Sequence, residues 1–281
     1  MPGAPYDQLH IYEINGDARE PAAGLAQRGA GYLGLWLEGE TSFLFFSQPA
    51  EETVTRLLAA QASLKLRERH QLSYDQWQGG LALEPTHLDG LSVAPAWSEA
   101  AEVQTPGGQP LLRLDPGVVF GNGLHPTTRH CLELLLLRAG QGPLGRVMDL
   151  GCGTGILACA AALLGAEEAL AVDLNPLCVQ TTQKNADLNG LSLQMAEGAA
   201  EDFIARPAQV VLANLHWGAL KGVLAGPERL AGKNDLIISG VTRSHLGPLR
   251  ARLSDLGYNE YFSRQAESTW FSLWAVRAGE K

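Results

Sequence analysis

Apolar and polar residues alternate over Leu9–Ile14, which predicts a short half-buried strand, and Ala18–Arg28 has the spacing of a helix stopped by Gly29. Two more strand-like runs, Gly31–Glu38 and Thr41–Phe46, flank Gly39-Glu40 and predict a hairpin. Val54, Leu57, Leu58, Gln61 and Leu64 then follow helical spacing within Glu51–Leu66. This β-α-β-β-α order predicts a small ferredoxin-like α+β domain over residues 1–70. Lys65–His70, the densest charge run, reads as the solvated end of that helix. Residues 71–81 read as a linker, with Gly79-Gly80 as a swivel and Tyr74 and Trp77 as an anchor against one domain.

The pattern changes from residue 82 onward. Leu81–Trp97 holds two short strand-like pieces broken by Pro85 and Pro95. The loop Val118–Thr128 caps a helix over Arg129–Leu137. Beyond it, short apolar runs at Val147–Leu150, Ala169–Val172, Leu193–Glu197, Val210–Ala213 and Asp235–Gly240 alternate with helical stretches, as buried parallel strands do. A helix over Ser244–Leu256 and a hairpin of Asn259–Phe262 with Thr269–Val276 close the chain, Trp270 and Trp274 sharing one face. Residues 82–281 therefore predict a doubly wound, seven-stranded, Rossmann-like α/β domain with one ligand crevice.

The first of the parallel strands carries the chemistry. Asp149 is followed by Gly151, Gly153 and Gly155, a G-x-G-x-G loop opening onto an alanine-rich helix. Bare amides at a helix N-terminus suit close approach of a ligand, but this spacing is not the G-x-G-x-x-G of dinucleotide binders. Asp149 would repel a pyrophosphate and suits a cation, while Asp173, ending the next strand, is placed to hold two ribose hydroxyls. A nucleoside with a positive centre and no phosphate fits both acids, which points to S-adenosylmethionine. Asn214 ends the strand Val210–Ala213 at the edge where ligands bind, offers a side-chain oxygen to an incoming amine N–H, and is the candidate catalytic residue. Trp217 could wall the approach. His125 reads either as a general base or, more simply, as a histidine pinning its glycine-rich loop; water or His216 are the other candidate bases.

Composition narrows the setting. The net charge of −9 argues against a nucleic-acid backbone binder and favours a basic partner. No stretch is long and apolar enough to span a bilayer, and the N-terminus lacks a signal pattern. Cys131, Cys152, Cys159 and Cys178 form no C-x-x-C pair, so they read as core residues of a cytoplasmic protein with no metal site.

Four stretches, Phe120–Thr128, Asp149–Leu157, Val172–Pro176 and Ala213–Leu215, resemble in order and spacing the methyltransferase of large-subunit ribosomal protein eleven, the PrmA family. The resemblance covers most of the chain, with Gly29–Phe46 similar to that family's substrate-recognition domain and Tyr74–Trp97 to its linker and the start of its catalytic domain. It implies an S-adenosylmethionine-dependent protein N-methyltransferase acting on α-amines and lysine ε-amines of a basic ribosomal protein. By matching motifs it implies Thr128, Gly151, Asp173 and Asn214 as cofactor-binding positions, beside Asp149, Gly153 and Gly155 of the same loop. The chain departs from the family pattern at Asn122, usually threonine, at Asn175, usually aspartate, and at Gln78-Gly79-Gly80, usually basic. A methyltransferase for another protein or a small amine, and a non-catalytic S-adenosylmethionine-binding module, are the alternatives.

Overall fold

A computed structural model of the chain describes residues 4–25, 31–80, 82–99 and 103–279. It divides into two compact units, Met1–Glu84 with Trp97–Glu99, and Pro85–Ala96 with Ala100–Lys281.

The first unit runs β1 (Gln8–Asn15), α1 (Arg19–Ala22), β2 (Tyr32–Glu38), β3 (Thr41–Phe46), α2 (Glu51–Ala60), β4 (Lys65–Ser73) and α3 (Tyr74–Trp77). Its antiparallel sheet has the order β2-β3-β1-β4, the ferredoxin-like arrangement. Tyr12, Ile14, Leu44 and Phe46 pack against Val54 and Leu57 of α2, so strand alternation and helical spacing meet in one core. The first predicted helix is only four residues long in the described part, and residues 26–28 of the predicted Ala18–Arg28 span, with its Gly29 stop, lie outside the described residues.

Two expectations are corrected here. Lys65–His70 is not a helix end but most of β4, an edge strand paired with β1 from Gln8↔Ser73 to Asn15↔Lys65. The free edge of β1 is filled by it, and its exposed charges are the kind that block further pairing at a sheet edge. Glu13 ties the two strands, taking Arg67 at 2.7 Å and His70 at 3.3 Å. Most of the predicted linker is likewise ordered structure, residue 81 lying outside the described residues: Gln71–Ser73 continue β4, and Ser73 starts α3 through a capping box with Gln76. Tyr74 is buried edge-on to Tyr6 and Trp97, and Trp77 lies edge-on to Phe45, so these aromatics anchor the stretch to the first unit.

The second unit begins with a small sheet of β5 (Thr86–Leu88), β6 (Leu91–Pro95) and β7 (Leu111–Leu114). Then come α4 (Pro126–Ala139), β8 (Arg146–Leu150), α5 (Ile156–Leu163), β9 (Glu168–Asp173), α6 (Pro176–Leu188), β10 (Gln194–Glu197), α7 (Ala200–Phe203), β11 (Val210–Asn214), α8 (Trp217–Val223), β12 (Asp235–Thr242), α9 (Arg243–Asp255), β13 (Tyr258–Ala266) and β14 (Trp270–Arg277). The seven-stranded sheet has the order β10-β9-β8-β11-β12-β14-β13, parallel through β12 and antiparallel at the last two strands. Val147, Leu212 and Ile237 face one core layer, and Met148, Val211 and Leu236 the other, which is why these strands read as continuous apolar runs. The chain leaves β8 toward β9 on one side and later returns to β11 on the other. A crevice therefore opens beyond the carboxyl ends of β8 and β11. Helix α4 starts three residues before the predicted Arg129, with Pro126 at its first position and His125 as its cap.

Candidate active site

The glycine loop is shaped by three left-handed residues at alternate positions: Gly151, Gly153 and Gly155 have φ of 74°, 55° and 78°. A Cβ on them would strike, respectively, the Leu215 side chain, the Phe120 carbonyl oxygen and the Thr182 side chain, so the loop has both the conformation and the closeness that only glycine permits. The amides of Gly151 and Cys152 both donate to the Val172 carbonyl, at 2.8 and 3.0 Å, and hold the loop against the end of β9.

Asp173 emerges half-buried at that end. Its carboxylate accepts from Gly153 N at 3.0 Å and from Asn175 N at 2.9 Å, which fixes it beside the loop with lone pairs to spare. Asn175 in turn caps α6 by accepting from Leu177 N at 3.0 Å. Asp149 lies beneath the loop at 1% exposure, one oxygen accepting from Ala158 N at 3.1 Å in the first turn of α5. Its other oxygen has no hydrogen-bond partner among the described residues. Burial, with a smaller contribution from the Asp173 charge, pushes the Asp149 carboxyl up to about 7. A buried, half-satisfied carboxyl next to a second acid suits a positively charged group and opposes an anionic one.

Across the crevice, Asn214 ends β11 half-buried and donates through Nδ2 to the Thr128 hydroxyl at 3.3 Å. That contact engages Nδ2 and leaves Oδ1, the other atom of the same planar amide, as the acceptor. Thr128 is buried in the first turn of α4, so sheet and helix together fix the amide. His125 spends Nδ1 on Thr127, at 2.7 Å to the hydroxyl and 3.3 Å to the amide. Its ring lies edge-on between Phe120 and Trp270, with centroids 5.5 and 5.2 Å away. Burial lowers its pKa, with Glu267 opposing. These contacts pin the loop that carries it. His216 is exposed and caps α8 by accepting from Ala219 N at 3.4 Å.

The structure thus brings Asp149, Gly151, Gly153, Gly155 and Asp173 together on one side of the crevice and joins Asn214 to Thr128 on the other. Sequence reasoning missed several neighbours. Phe120 is 56% exposed and Leu174, directly after Asp173, is 72% exposed, unusual for large apolar side chains at the end of a parallel sheet. Trp217 is stacked on His245 at 5.6 Å, and the His245 ring meets the Thr242 hydroxyl at 3.0 Å. Phe120 and Leu174 stand inside the motifs and were recognisable as apolar residues where loops are normally polar. Trp270 and His245 come from distant strand and helix ends with no local mark.

Comparison with known proteins decides the kinship. The profile described as Ribosomal protein L11 methyltransferase (PrmA) matches residues 44–278. The chain belongs to this family. A ribosomal protein L11 methyltransferase of Deinococcus radiodurans is 30% identical to it, over 95% of this chain and 97% of that protein. One from Azotobacter vinelandii is 42% identical, over 57% of this chain and 54% of that protein, so this closer match spans about half of that relative's length. A crystal structure of ribosomal protein L11 methylase from Lactobacillus delbrueckii subsp. bulgaricus superposes with a TM-score of 0.61 at 28% identity, covering 69% of this chain and 98% of that one. For this PrmA-family chain, the glycine loop and the two acids lie inside the matched span, as do Thr128 and Asn214. Among the described residues no helix is long and apolar enough to cross a membrane.

Proposed function

We propose that this chain transfers methyl groups from S-adenosylmethionine to amino groups of a basic cytoplasmic protein, most directly the ribosomal protein L11 for which its relatives are named. The single observation that carries the reading is the pairing of two acids around a positive-φ glycine loop on one lip of the crevice with a sheet-fixed amide, Asn214, on the other. Gly151, Gly153 and Gly155 would give the cofactor a cradle with no Cβ, and the unpartnered oxygen of Asp149 suits its positive charge. Asp173 would accept the ribose hydroxyls, while Thr128 and Asn214 close the opposite side. When bound, the cofactor supplies an electrophilic methyl group on a sulfonium centre.

The protein's own work is alignment. Asn214 Oδ1 accepts an N–H of the incoming amine and so directs the nitrogen lone pair, a positioning effect rather than an acid–base one. The amine must arrive neutral, which is easier for an α-amine, near 8, than for a lysine, near 10.4. Lysine ε- and α-amines are both within the proposed scope. The net charge of −9 complements a basic protein and discourages direct nucleic-acid binding. Residues 1–70 are assigned to gripping the substrate, and the second unit to the chemistry.

The test is incubation with isotopically labelled S-adenosylmethionine and purified L11, followed by peptide mass spectrometry. Label on L11 amines supports the proposal and locates the modified residues. Cofactor binding without transfer to L11 moves the proposal to another protein or a small amine. Failure to bind the cofactor removes it.

A further inference from the structure

Between the second and third loop glycines sits Thr154, a residue with no exposed surface and an unusual number of obligations. Its amide donates to the Phe120 carbonyl at 3.0 Å and its hydroxyl to the Gly121 carbonyl at 2.7 Å. The same hydroxyl accepts from Ile156 N at 3.3 Å at the start of α5, and its carbonyl accepts from Asn185 Nδ2 at 2.9 Å. Asn185, also fully buried on α6, grips Asp115 at both its amide and its carbonyl, at 2.8 and 3.0 Å. The segment from Asp115 to Gly121 is thus fastened at both ends to the glycine loop and α6. The fit is close enough that a Cβ on Gly121 would lie 2.8 Å from the Thr154 hydroxyl, and one on Gly153 would strike the Phe120 carbonyl.

This segment carries one end of a wall of rings beside the glycine loop. Phe120 is exposed and edge-on to His125, His125 is edge-on to Trp270, and the same stretch leads into Thr128, the partner of Asn214. We propose that Thr154 is a positioning residue, locking the glycine loop and the Phe120–His125–Trp270 wall into one body, so that a cofactor seated on the loop fixes the wall against which the substrate amine is aligned. The proposal rests on the methyltransferase reading above. It goes beyond that reading by assigning to Thr154 a function exerted through the neighbouring segment rather than by touching either reactant. Backbone bonds from one loop to another are ordinary scaffolding. A buried hydroxyl spent on a carbonyl of the neighbouring loop is a device that a single substitution can remove without changing shape.

Thr154→Val keeps the volume and deletes the hydroxyl, and Thr154→Ser restores it. Both are compared with the wild type by calorimetry with S-adenosylmethionine, by steady-state methylation of L11, and by amide hydrogen exchange of residues 118–125 with and without S-adenosylmethionine. The expectation for Thr154→Val is cofactor affinity within about threefold of wild type, kcat on L11 at saturating cofactor lower by about tenfold or more, and loss of the cofactor-induced protection of 118–125. Thr154→Ser should recover all three. Thr154→Val with unchanged kcat and wild-type protection would overturn the proposal, as would Thr154→Ser being as impaired as Thr154→Val, or a defect confined to cofactor affinity. If the wild type does not bind S-adenosylmethionine, the methyltransferase reading fails, yet the cofactor-free exchange still tests the tie. Faster exchange at 118–125 in Thr154→Val than in wild type and Thr154→Ser supports it, and identical exchange in all three overturns it.

Discussion

Replacing Asp149 by asparagine should make the ligand-free protein more stable and the cofactor bind less well. The carboxyl is 1% exposed, one oxygen is held by the Ala158 amide and the other has no partner among the described residues. Burial and the nearby Asp173 charge raise its pKa from 3.8 to about 7 against the pull of that amide. The folded value lies above the unfolded one, so the stabilisation this group provides is complete below pH about 4 and is lost as pH rises through about 7. At about 1.36 kcal/mol per pH unit, the span from 3.8 to about 7 amounts to at most roughly 4 kcal/mol. Burial raises the facing thiols of Cys131 and Cys159 to about 12, and that of Cys152 further still, so all three stay neutral throughout this window. Asparagine keeps an acceptor for Ala158 N and never ionises. Urea unfolding at pH values from about 4 to about 8 should show wild type losing stability relative to Asp149→Asn, the curves meeting near the acid end and parting by up to about 4 kcal/mol at the other. In calorimetry near pH 8 the variant should bind S-adenosylmethionine more weakly by roughly 1.5–3 kcal/mol, the range of a hydrogen bond to a charged group. Parallel stability curves across this window would refute the buried-acid argument, and unchanged cofactor affinity would remove Asp149 from the binding site.

Asp173→Ala should weaken S-adenosylmethionine binding by roughly 1.5–3 kcal/mol in calorimetry, since it deletes the acceptor of Gly153 N together with the proposed ribose contacts. Asn214→Ala should lower turnover at saturating cofactor by on the order of 10²-fold. If turnover recovers fully when more S-adenosylmethionine is added, Asn214 merely holds the nucleoside. A fragment beginning at Pro85, where the second compact unit starts, should bind cofactor in calorimetry but fail to methylate L11, and full activity in it would end the proposed division of labour.

Local signals sufficed wherever a residue's role follows from its own strand, turn or cap. The apolar runs that became β8, β9, β11 and β12, and the glycine spacing after Asp149, were legible because buried parallel strands and positive-φ turns leave their mark in consecutive residues. Asp173 and Asn214 were legible as candidates for the same reason, each standing at the end of its run. The ferredoxin-like module was legible except for its last strand. Lys65–His70 has charges on both sides of Leu66 and no apolar alternation, and it becomes β4 because β1, more than fifty residues earlier, offers an unpaired edge. Pairing energy of that kind belongs to two distant segments and is written in neither.

The sequence by itself determined the layers of the second unit, the glycine loop and the residues that close each strand. Only the tertiary structure decided what those residues touch. It buried the Asp149 carboxyl and left one of its oxygens without a hydrogen-bond partner among the described residues, and it gave His125 a loop to pin. It joined Asn214 to Thr128 across 86 positions, and Trp270 to His125 from the far end of the chain. It also singled out Thr154, an unremarked letter between two glycines, by setting Phe120 and Gly121 within hydrogen-bonding distance. Periodicity and turn chemistry act over a few residues and so survive in the string. Burial, desolvation and the partner of each polar atom are properties of the packed whole and exist only once the chain has folded.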